Sequence, residues 1–523
     1  MLTNKRREFL YAMTVFGPNI IFTMIMAYFL SAVNPQNLDV DGQLMAWLWK
    51  VQPNGEVVGL PIVFTAVFGI LFTIGRVFDA LIDVPLAAKL DRMKDKYARL
   101  RLPILISLVP MLAGAVMLCT PLTVTENSGK NTVWFFMACI VFFAAYTLSM
   151  VAFYGGLSGI CTSRKQRTRV SMFKSFIDTV QYALAYALAP LILITFRGTG
   201  LNIMHLILMF SPLMLTVLIP VIMSKGHREE TDEETDIKET DTSVVNEKTQ
   251  ATGTLSSLLF VSKNRAFWPW MLVVFIYFMG LQLFLSMQNE LISGVLQLKV
   301  EFAALLNAAA FGPVPIMLFF FNKLMKKKGV RFALQASILS FGVGIACFSL
   351  GSALFFPVSI LPRIIINLIG GTTASFSIGA FFMLILMIPS QVAAVELKVL
   401  KKRNSSMYFA GQGIVVGLSG AIATGLIADT LLRVIISVKI PVSTTLAGIT
   451  DGTYNIPLGG FIAPFIVVFL SFLAFGAAFL MPKSYDTKTI GKLFDENYIP
   501  DNEDLIDQEI DNAAVKGSSV NEL

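Results

Sequence analysis

Two aspartates and an arginine lie close together in an otherwise apolar stretch of the chain. Asp83 follows Asp79 by four residues, and Arg76 precedes Asp79 by three. A helix places side chains at these spacings on one face. An ionised carboxylate at bilayer depth costs roughly 3 kcal/mol, and acids kept there usually serve function. Because carboxylate oxygens bind hard cations and can also exchange a proton, the spacing predicts a cation or proton site.

The same three residues also have a structural interpretation. Arg76 and Asp79 could form an ion pair along the helix, and Asp83 could lie near the water boundary. Neither acid would then bind an ion. The two interpretations differ in whether removing an acid abolishes function or only lowers stability.

The elements that must position these residues are membrane-spanning helices. The chain has 523 residues, of which 55% are hydrophobic and 14% are charged. Apolar runs long enough to cross a bilayer recur along most of its length. We predict an all-α polytopic membrane protein with twelve transmembrane helices, six on each side of a central polar segment. The lipid bilayer is its expected surrounding.

The distribution of charge predicts a topology and excludes one class of partner. Much of the basic charge behind the net +7 is clustered in short connections, at 5–7, 89–101, 164–169, 326–331 and 401–403. These clusters occupy alternate connections, and basic connections stay on the cytoplasmic side. We therefore expect a multi-pass protein of the cell (inner, cytoplasmic) membrane with both termini cytoplasmic. Clusters of this kind report topology, so no nucleic-acid partner is expected.

Composition divides the chain into four parts. Residues 1–224 are predicted to form an N-terminal six-helix bundle, and residues 266–482 a C-terminal six-helix bundle. Residues 225–265 are polar and acidic, which predicts a cytoplasmic linker that buries no core. Residues 483–523 are predicted to be an acidic cytoplasmic tail.

Enzyme chemistry is not expected. The four cysteines and two histidines show no metal or disulfide spacing. No nucleophile, base or metal cluster has a usable arrangement along the chain. We predict a protein that is not an enzyme and has no cofactor beyond a coupling cation.

Several motifs resemble those of the glycoside–pentoside–hexuronide:cation symporter family, the melibiose permease-like branch of the major facilitator superfamily. That family has Asp-Ala-x-Asn-Asp-Pro on its second helix, followed by a loop that starts Asp-Arg. Here Asp79-Ala-Leu-Ile-Asp83-Val-Pro85 is followed by Asp91-Arg92. The segments 16–19 and 403–409 are similar to two further family motifs. The resemblance implies the major facilitator fold, with twelve transmembrane helices in two six-helix bundles.

The resemblance also implies an ion site and a gate. Asp79 and Asp83 fall on the acids that bind the family's coupling cation, which could be Na⁺ or H⁺ here, and Thr147 on the fourth helix is a further oxygen. Ile82 replaces the family's asparagine between the acids, which removes one oxygen ligand. The loss favours proton coupling and leaves sodium open. The cytoplasmic gate implied by the resemblance consists of Arg76, Asp91 and Arg92.

The residues that bind sugar in the related family are retained less completely in this chain than those of its ion site. Two acids that bind sugar in the family fall on Asn19 and Met150 in this chain. A sugar site needs many hydrogen-bonding groups, and here charged ones are missing. Lys174 lies four residues before Asp178, so it could contact a solute or simply pair with that acid. The candidate solute contacts are Asn19, Met150, Tyr154, Lys174 and Gln412.

Together these features predict a cation-coupled secondary symporter, driven by sodium or protons, that imports a small polar solute by alternating access. A saccharide, either a sugar or a glycoside, is the first expectation for the solute, and the expected oligomeric state is a monomer. One alternative is a transporter of a non-sugar or amphipathic metabolite on the same scaffold. The other is a membrane receptor or scaffold that transports nothing.

Overall fold

The chain forms a bundle of long apolar helices, seen here in a computed structural model. The structure describes residues 2, 4–33, 47–51, 57–93, 95–161, 163–196, 199–224, 254–298, 300–400, 404–435, 438–446 and 449–496. Eleven helical segments within these ranges are long and apolar enough to cross a membrane. The second predicted span is also helical over Thr65–Asp91, 27 residues, which is about 40 Å at 1.5 Å per residue. The all-α polytopic fold predicted from the sequence is confirmed.

The helices are named here as spans 1 to 12 in chain order. Span 1 comprises Lys5–Ala12, Met13–Val15, Phe16–Met24, Ile25–Phe29 and Leu30–Val33. Span 2 is Thr65–Asp91, span 3 is Lys96–Leu118 and span 4 is Gly129–Ile160. Span 5 comprises Arg164–Ala183, Leu184–Leu188 and Ala189–Thr195, and span 6 comprises Ile203–Phe210, Ser211–Leu218 and Ile219–Met223. Spans 7 to 12 comprise Trp268–Asn289 and Glu290–Val295 (span 7), Val300–Phe311 and Val314–Lys328 (span 8), Val330–Leu350 (span 9), Ile360–Leu400 (span 10), Ser405–Ala421 and Ile422–Ile435 (span 11), and Leu458–Ala477 and Ala478–Leu480 (span 12). A last short helix, Thr487–Phe494, follows span 12.

The connections give the bundle two distinct ends. The basic clusters lie between spans 2 and 3, 4 and 5, 8 and 9, and 10 and 11, and this end is called the basic end. Two antiparallel β-hairpins join spans at the opposite end. They are Leu48–Val51 with Val57–Leu60, between spans 1 and 2, and Lys439–Leu446 with Ile449–Pro457, between spans 11 and 12.

Local side-chain chemistry starts several helices at the basic end. The Asp95 carboxylate accepts from the Tyr97 N–H at 2.7 Å where span 3 begins. The Ser163 hydroxyl accepts from the Gln166 N–H at 3.2 Å where span 5 begins. Such caps satisfy N–H groups that a helix leaves unpaired at its start. Gly329 makes the turn between spans 8 and 9 with φ +88, a conformation that strongly favours glycine.

Four spans contain π-helical segments at matching places in the two halves. They are Ile25–Phe29 in span 1, Leu184–Leu188 in span 5, Glu290–Val295 in span 7 and Ile422–Ile435 in span 11. Spans 1 and 7 are each the first of six, and spans 5 and 11 are each the fifth. All four segments lie away from the basic end. Such segments are rare in proteins and often occur at functional sites.

The two halves meet along a few pairs of spans. Span 2 packs against span 11, span 4 against span 11, and span 5 against spans 8 and 10. These helices therefore line the space between the halves, where side chains from both can meet. Candidate site residues on spans 2, 4, 5 and 11 are placed there by the fold.

A helix of the second half begins earlier than the sequence predicted. A helix, Thr254–Lys263, lies within the segment 225–265 that was predicted to be a linker. It packs against spans 2 and 11, and Val261 on it is buried. Its apolar residues explain the difference, because they can bury surface that the acidic residues before them cannot. The rest of the predicted linker, up to residue 253, and the tail beyond residue 496 lie outside the described residues.

Candidate functional site

Asp79 is buried and contacts a neighbouring span. It lies inside the helix of span 2 and is 9% exposed. The Thr147 hydroxyl, on span 4, donates a hydrogen bond to Asp79 Oδ1. Span 4 therefore supplies a neutral oxygen beside a carboxylate, which is the mixture of ligands that hard cations bind. Within the described residues, no cluster of three or more His, Cys, Asp or Glu side chains is found.

Asp83 lies against the other half of the molecule. A Cβ added to Gly413 of span 11 would overlap Asp83 Oδ2. Only a residue without a side chain allows the two helices to come this close. The second half thus closes directly over the second acid of the pair.

A buried polar network lies beside this pair, formed by spans 1, 4 and 5. Lys174 and Asp178 form an ion pair and are 4% and 2% exposed. Asn19 Nδ2 donates to Asp178 Oδ1 at 3.2 Å, and the Tyr146 hydroxyl donates to Asn19 Oδ1 at 2.9 Å. The Lys174 ammonium lies 5.5 Å from the centre of the Tyr154 ring. These five residues are called the central polar cluster.

The central polar cluster can bind a solute chiefly through uncharged groups. Its single positive and single negative charge neutralise each other in a direct contact. The remaining groups are one amide and two phenols, which both donate and accept hydrogen bonds. Phenol rings can also pack against the apolar face of a ring. The cluster is therefore suited to a polar solute without a large net charge.

The structure brings together three of the five predicted solute contacts. Asn19, Tyr154 and Lys174 all belong to the central polar cluster. Met150 instead packs in the hydrophobic core. Gln412 is bonded within the second half, accepting from Trp270 Nε1 at 2.7 Å and donating to a span 10 carbonyl at 3.1 Å. In this conformation these two residues support the helices around the site.

The predicted gate residue Asp91 binds the start of span 11. Its carboxylate accepts from the backbone N–H groups of Ser406 at 2.9 Å and Met407 at 3.0 Å. Arg99 Nη1 lies 3.9 Å from Asp91 Oδ1. A carboxylate is favoured at a helix N-terminus, because unpaired N–H groups and the helix dipole attract it.

The structure describes the side chain of only one of the other two predicted gate residues. Arg92 is exposed, so it faces water beside the contact. The side chain of Arg76 lies outside the described residues. The prediction of a gate at this loop therefore rests on Asp91.

Further contacts join the halves on both sides of the central polar cluster. Towards the basic end, the Ser405 hydroxyl donates to the Gly155 carbonyl at 3.0 Å. The Ser175 hydroxyl donates to the Gly379 carbonyl at 2.8 Å. Towards the opposite end, Asn307 of span 8 donates to the Tyr186 carbonyl of span 5 at 3.0 Å. The cluster is thus enclosed between the halves.

Several contributing residues were not predicted as site residues. Tyr146 precedes the predicted residues Met150 and Tyr154 by four and eight positions, so a helical-face argument could have included it. Arg99 lies in the basic connection after Asp91 and Arg92. Gly413 and Ser406 carry no such signal, because their role depends on which helix of the other half lies opposite.

Comparisons with known proteins identify the family. The sequence profile described as "MFS/sugar transport protein" matches residues 56–482. No curated protein sequence matches the chain significantly.

Solved structures with the same fold include a proton:xylose symporter, XylE, bound to 6-bromo-6-deoxy-D-glucose. The TM-score is 0.57 at 14% identity, and the match covers 94% of this chain and 97% of that one. Another is a bacterial homologue of the iron transporter ferroportin in an outward-facing state. Its TM-score is 0.54 at 11% identity, covering 91% of this chain and 98% of that one. At such identities these matches establish the fold, which is the predicted major facilitator fold.

The family match extends from span 2 to the end of span 12 and includes both acids of span 2. It confirms the family resemblance predicted from the sequence and identifies a multi-pass membrane transporter of small molecules rather than an enzyme. The chain belongs to the MFS/sugar transport protein family.

Proposed function

We propose that this protein is a cation-coupled symporter that imports a small polar solute, a sugar or glycoside, by alternating access. It would act as a monomer in the cell membrane, with both termini cytoplasmic. The observation that carries the proposal is the environment of the acid pair. Asp79 is bonded by Thr147 of the same half, and Asp83 lies against Gly413 of the other half. Ion binding and closure of the halves would therefore involve the same two carboxylates.

The position of Asp83 suggests a physical reason for coupling. Closing Gly413 over an ionised carboxylate removes it from water, and this is unfavourable unless its charge is compensated. A bound cation or proton would supply that compensation. The occupied site would therefore close more readily than the empty one, and the central polar cluster would carry the solute across in the same movement.

The identity of the ion follows from the ligands available. Ile82 lies between the acids where the related family has asparagine, which leaves fewer oxygens for sodium. We favour the proton for this reason and keep sodium as the alternative. Either ion needs the acids, so the coupling proposal stands independently of the choice.

Transport by purified protein in liposomes tests the proposal. With sodium and pH gradients imposed separately, one of them should drive accumulation of a radiolabelled sugar or glycoside. Asp79→Asn and Asp83→Asn should each abolish gradient-driven uptake while the protein remains in the membrane. Cation-dependent accumulation that is undiminished in both variants would disprove the role of the acids. Uptake that follows only sodium would disprove the proton.

A second candidate is transport of a non-sugar, amphipathic metabolite. It is favoured by the aromatic residues next to the central polar cluster, such as Tyr182 stacked on Phe311 and Phe382. A solute panel that shows no uptake of any saccharide but uptake of another metabolite would support it. Absence of all solute flux in liposomes would instead support a receptor or scaffold.

A further inference from the structure

A second candidate binding region lies between the halves, nearer the end opposite the basic connections. It contains a cavity of about 10 Å³, close to the space that one water molecule needs. Spans 5, 7, 8 and 10 all contribute to its lining. Most of the lining is apolar or aromatic, and two amides, Gln288 and Asn307, provide its polar side chains. Few polar groups in an apolar lining are typical of small-molecule sites.

One tyrosine from the first half lines this region and contacts two rings of the second half. The Tyr182 ring stacks on Phe311 of span 8 at 5.5 Å and on Phe382 of span 10 at 5.0 Å between ring centres, both at 23°. Both phenylalanines come from the second half. The contact must therefore break when the halves separate at this end. Separation would uncover two rings that are ready to stack on another ring.

The two amides form a fixed pair beside these rings. Gln288 Nε2 donates to Asn307 Oδ1, and Asn307 Nδ2 donates to the Tyr186 carbonyl of the first half at 3.0 Å. Gln288 and Asn307 are buried, at 6% and 4% exposed. The bond to Tyr186 also joins the halves, so separation frees an amide donor next to the uncovered rings.

We propose that these residues form a ring subsite, which binds an uncharged ring of the solute in place of the Tyr182 side chain. The inference rests on the proposed function, because it assigns a second part of the same solute. The ring would stack on Phe311 and Phe382, and its hydroxyl or ether groups would bond Gln288 and Asn307. The amides carry no charge, so a neutral ring with an apolar face fits, either a pyranose or an aryl group.

The subsite is placed to receive the next ring of a solute bound in the central polar cluster. Asp178 and Tyr182 are one helical turn apart on span 5, about 6 Å along the axis. Lys174, Asp178, Tyr182 and Tyr186 recur every four residues and share a face. The solute class is therefore a glycoside with two rings, the first in the cluster and the second in the ring subsite.

Binding of matched glycosides to the purified full-length protein in lipid nanodiscs tests the inference. Four sugars are tested: glucose, galactose, xylose and glucuronic acid. Each is supplied as three probes, which are its methyl glycoside, its 4-nitrophenyl glycoside and its disaccharide with glucose. For the sugar that binds, at least one two-ring probe should bind about tenfold tighter than the methyl glycoside. Tighter binding of the nitrophenyl form identifies an aryl group, and tighter binding of the disaccharide identifies a pyranose.

Variants separate the subsite from general effects on folding. The two-ring advantage is the ratio of the Kd of the methyl glycoside to the Kd of the tighter two-ring probe. This ratio should fall below threefold in each of three variants, Phe382→Leu, Gln288→Leu and Asn307→Leu. The Kd of the methyl glycoside should change by less than threefold in each of them. The matched control is Phe321→Leu, a buried residue of span 8 that packs on Phe376, and it should keep the advantage. An unchanged advantage in all three subsite variants would overturn the inference.

The outcomes also distinguish this inference from the proposed function. Cation-coupled uptake of methyl glycosides with no two-ring advantage would overturn the ring subsite alone. Failure of every saccharide to bind would overturn both the sugar assignment and the subsite.

Discussion

At the scale of single residues, the site depends on hydrogen bonds and charges that come from different helices. The Thr147 hydroxyl reaches Asp79 across 68 residues of sequence. Lys174 and Asp178 are close in sequence, but Asn19 completes their contact from span 1, 159 residues away from Asp178. Each bond joins two side chains, so a substitution that removes one hydrogen-bonding or charged group can test it.

Replacing Thr147 with valine removes the donor to Asp79 and keeps the shape of the side chain. Hydrogen bonds to charged groups contribute about 1.5–3 kcal/mol, which is about tenfold or more in affinity. If sodium is the coupling ion, the half-saturating sodium concentration for uptake should rise about tenfold. If the proton is the coupling ion, the pH dependence of uptake should change, because the carboxylate that takes the proton loses a hydrogen bond. Thr147→Ser should behave like the original protein, and an unchanged ion dependence in Thr147→Val would contradict the contact.

The buried pair of Lys174 and Asp178 predicts a non-additive effect on stability. Removing one partner leaves an uncompensated charge, at a cost of about 3–5 kcal/mol. Lys174→Met should therefore lower the Tm clearly, whereas the double variant Lys174→Met with Asp178→Asn should recover most of the loss. Thermal unfolding of the purified protein measures both. Equal losses in the single and double variants would show that the charge interaction does not control stability.

At the scale of elements, close approach of spans 2 and 11 places one acid at the boundary between the halves. A Cβ added to Gly413 of span 11 would overlap Asp83 Oδ2 of span 2. The π-helical segments in spans 1, 5, 7 and 11 lie on the other side of the central polar cluster, where the helices carry a local irregularity. Close contact at the acids and irregular helical segments away from them suit a bundle that must open at one end and then the other.

Gly413→Ala should prevent the full approach of spans 2 and 11. Its Cβ would overlap Asp83 Oδ2, so the carboxylate or the helices must move. We expect solute uptake to fall at least tenfold with normal amounts of protein in the membrane. Gly420→Ala is the matched control on the same span, because its Cβ would lie 3.9 Å from Gln282 Cγ, an ordinary contact. Normal uptake by Gly413→Ala would show that this approach is not needed for transport.

At the scale of the whole molecule, Asp91 links the two halves at the basic end. Its carboxylate accepts hydrogen bonds from the N–H groups of Ser406 and Met407 at the start of span 11. These bonds exist only while spans 2 and 11 are in contact. Hydrogen bonds to a charged group contribute about 1.5–3 kcal/mol. Removing the charge of Asp91 should therefore weaken closure at this end.

Labelling of a cysteine at the gate measures this contribution. Ser405→Cys, in a background without the four native cysteines, should react slowly with a membrane-impermeant maleimide while the halves are closed at this end. Rates are divided by those of Lys398→Cys, an exposed position, which corrects for the reactivity of the reagent. Adding Asp91→Asn should raise the normalised rate about tenfold, because two hydrogen bonds to a charged group are weakened. An unchanged rate in Asp91→Asn would show that this contact does not hold the gate closed.

The sequence alone determined which segments cross the membrane and where an ion site is to be expected. An apolar run enters lipid because of its own composition, so the helical fold could be predicted segment by segment. The same holds for Asp79 and Asp83, because an acid inside such a run is unusual in any arrangement of helices. The helix at Thr254–Lys263 was missed because acidic residues before it dominated the composition of the segment.

Only the tertiary structure decided which side chains meet. The partners Gly413 for Asp83, Trp270 for Gln412, and Phe311 with Phe382 for Tyr182 all come from a different span than the residue they contact. Each depends on how a helix is rotated and which neighbour it faces. Hydropathy does not specify that rotation, because lipid solvates every apolar face alike, and the close packing of the helices fixes it instead.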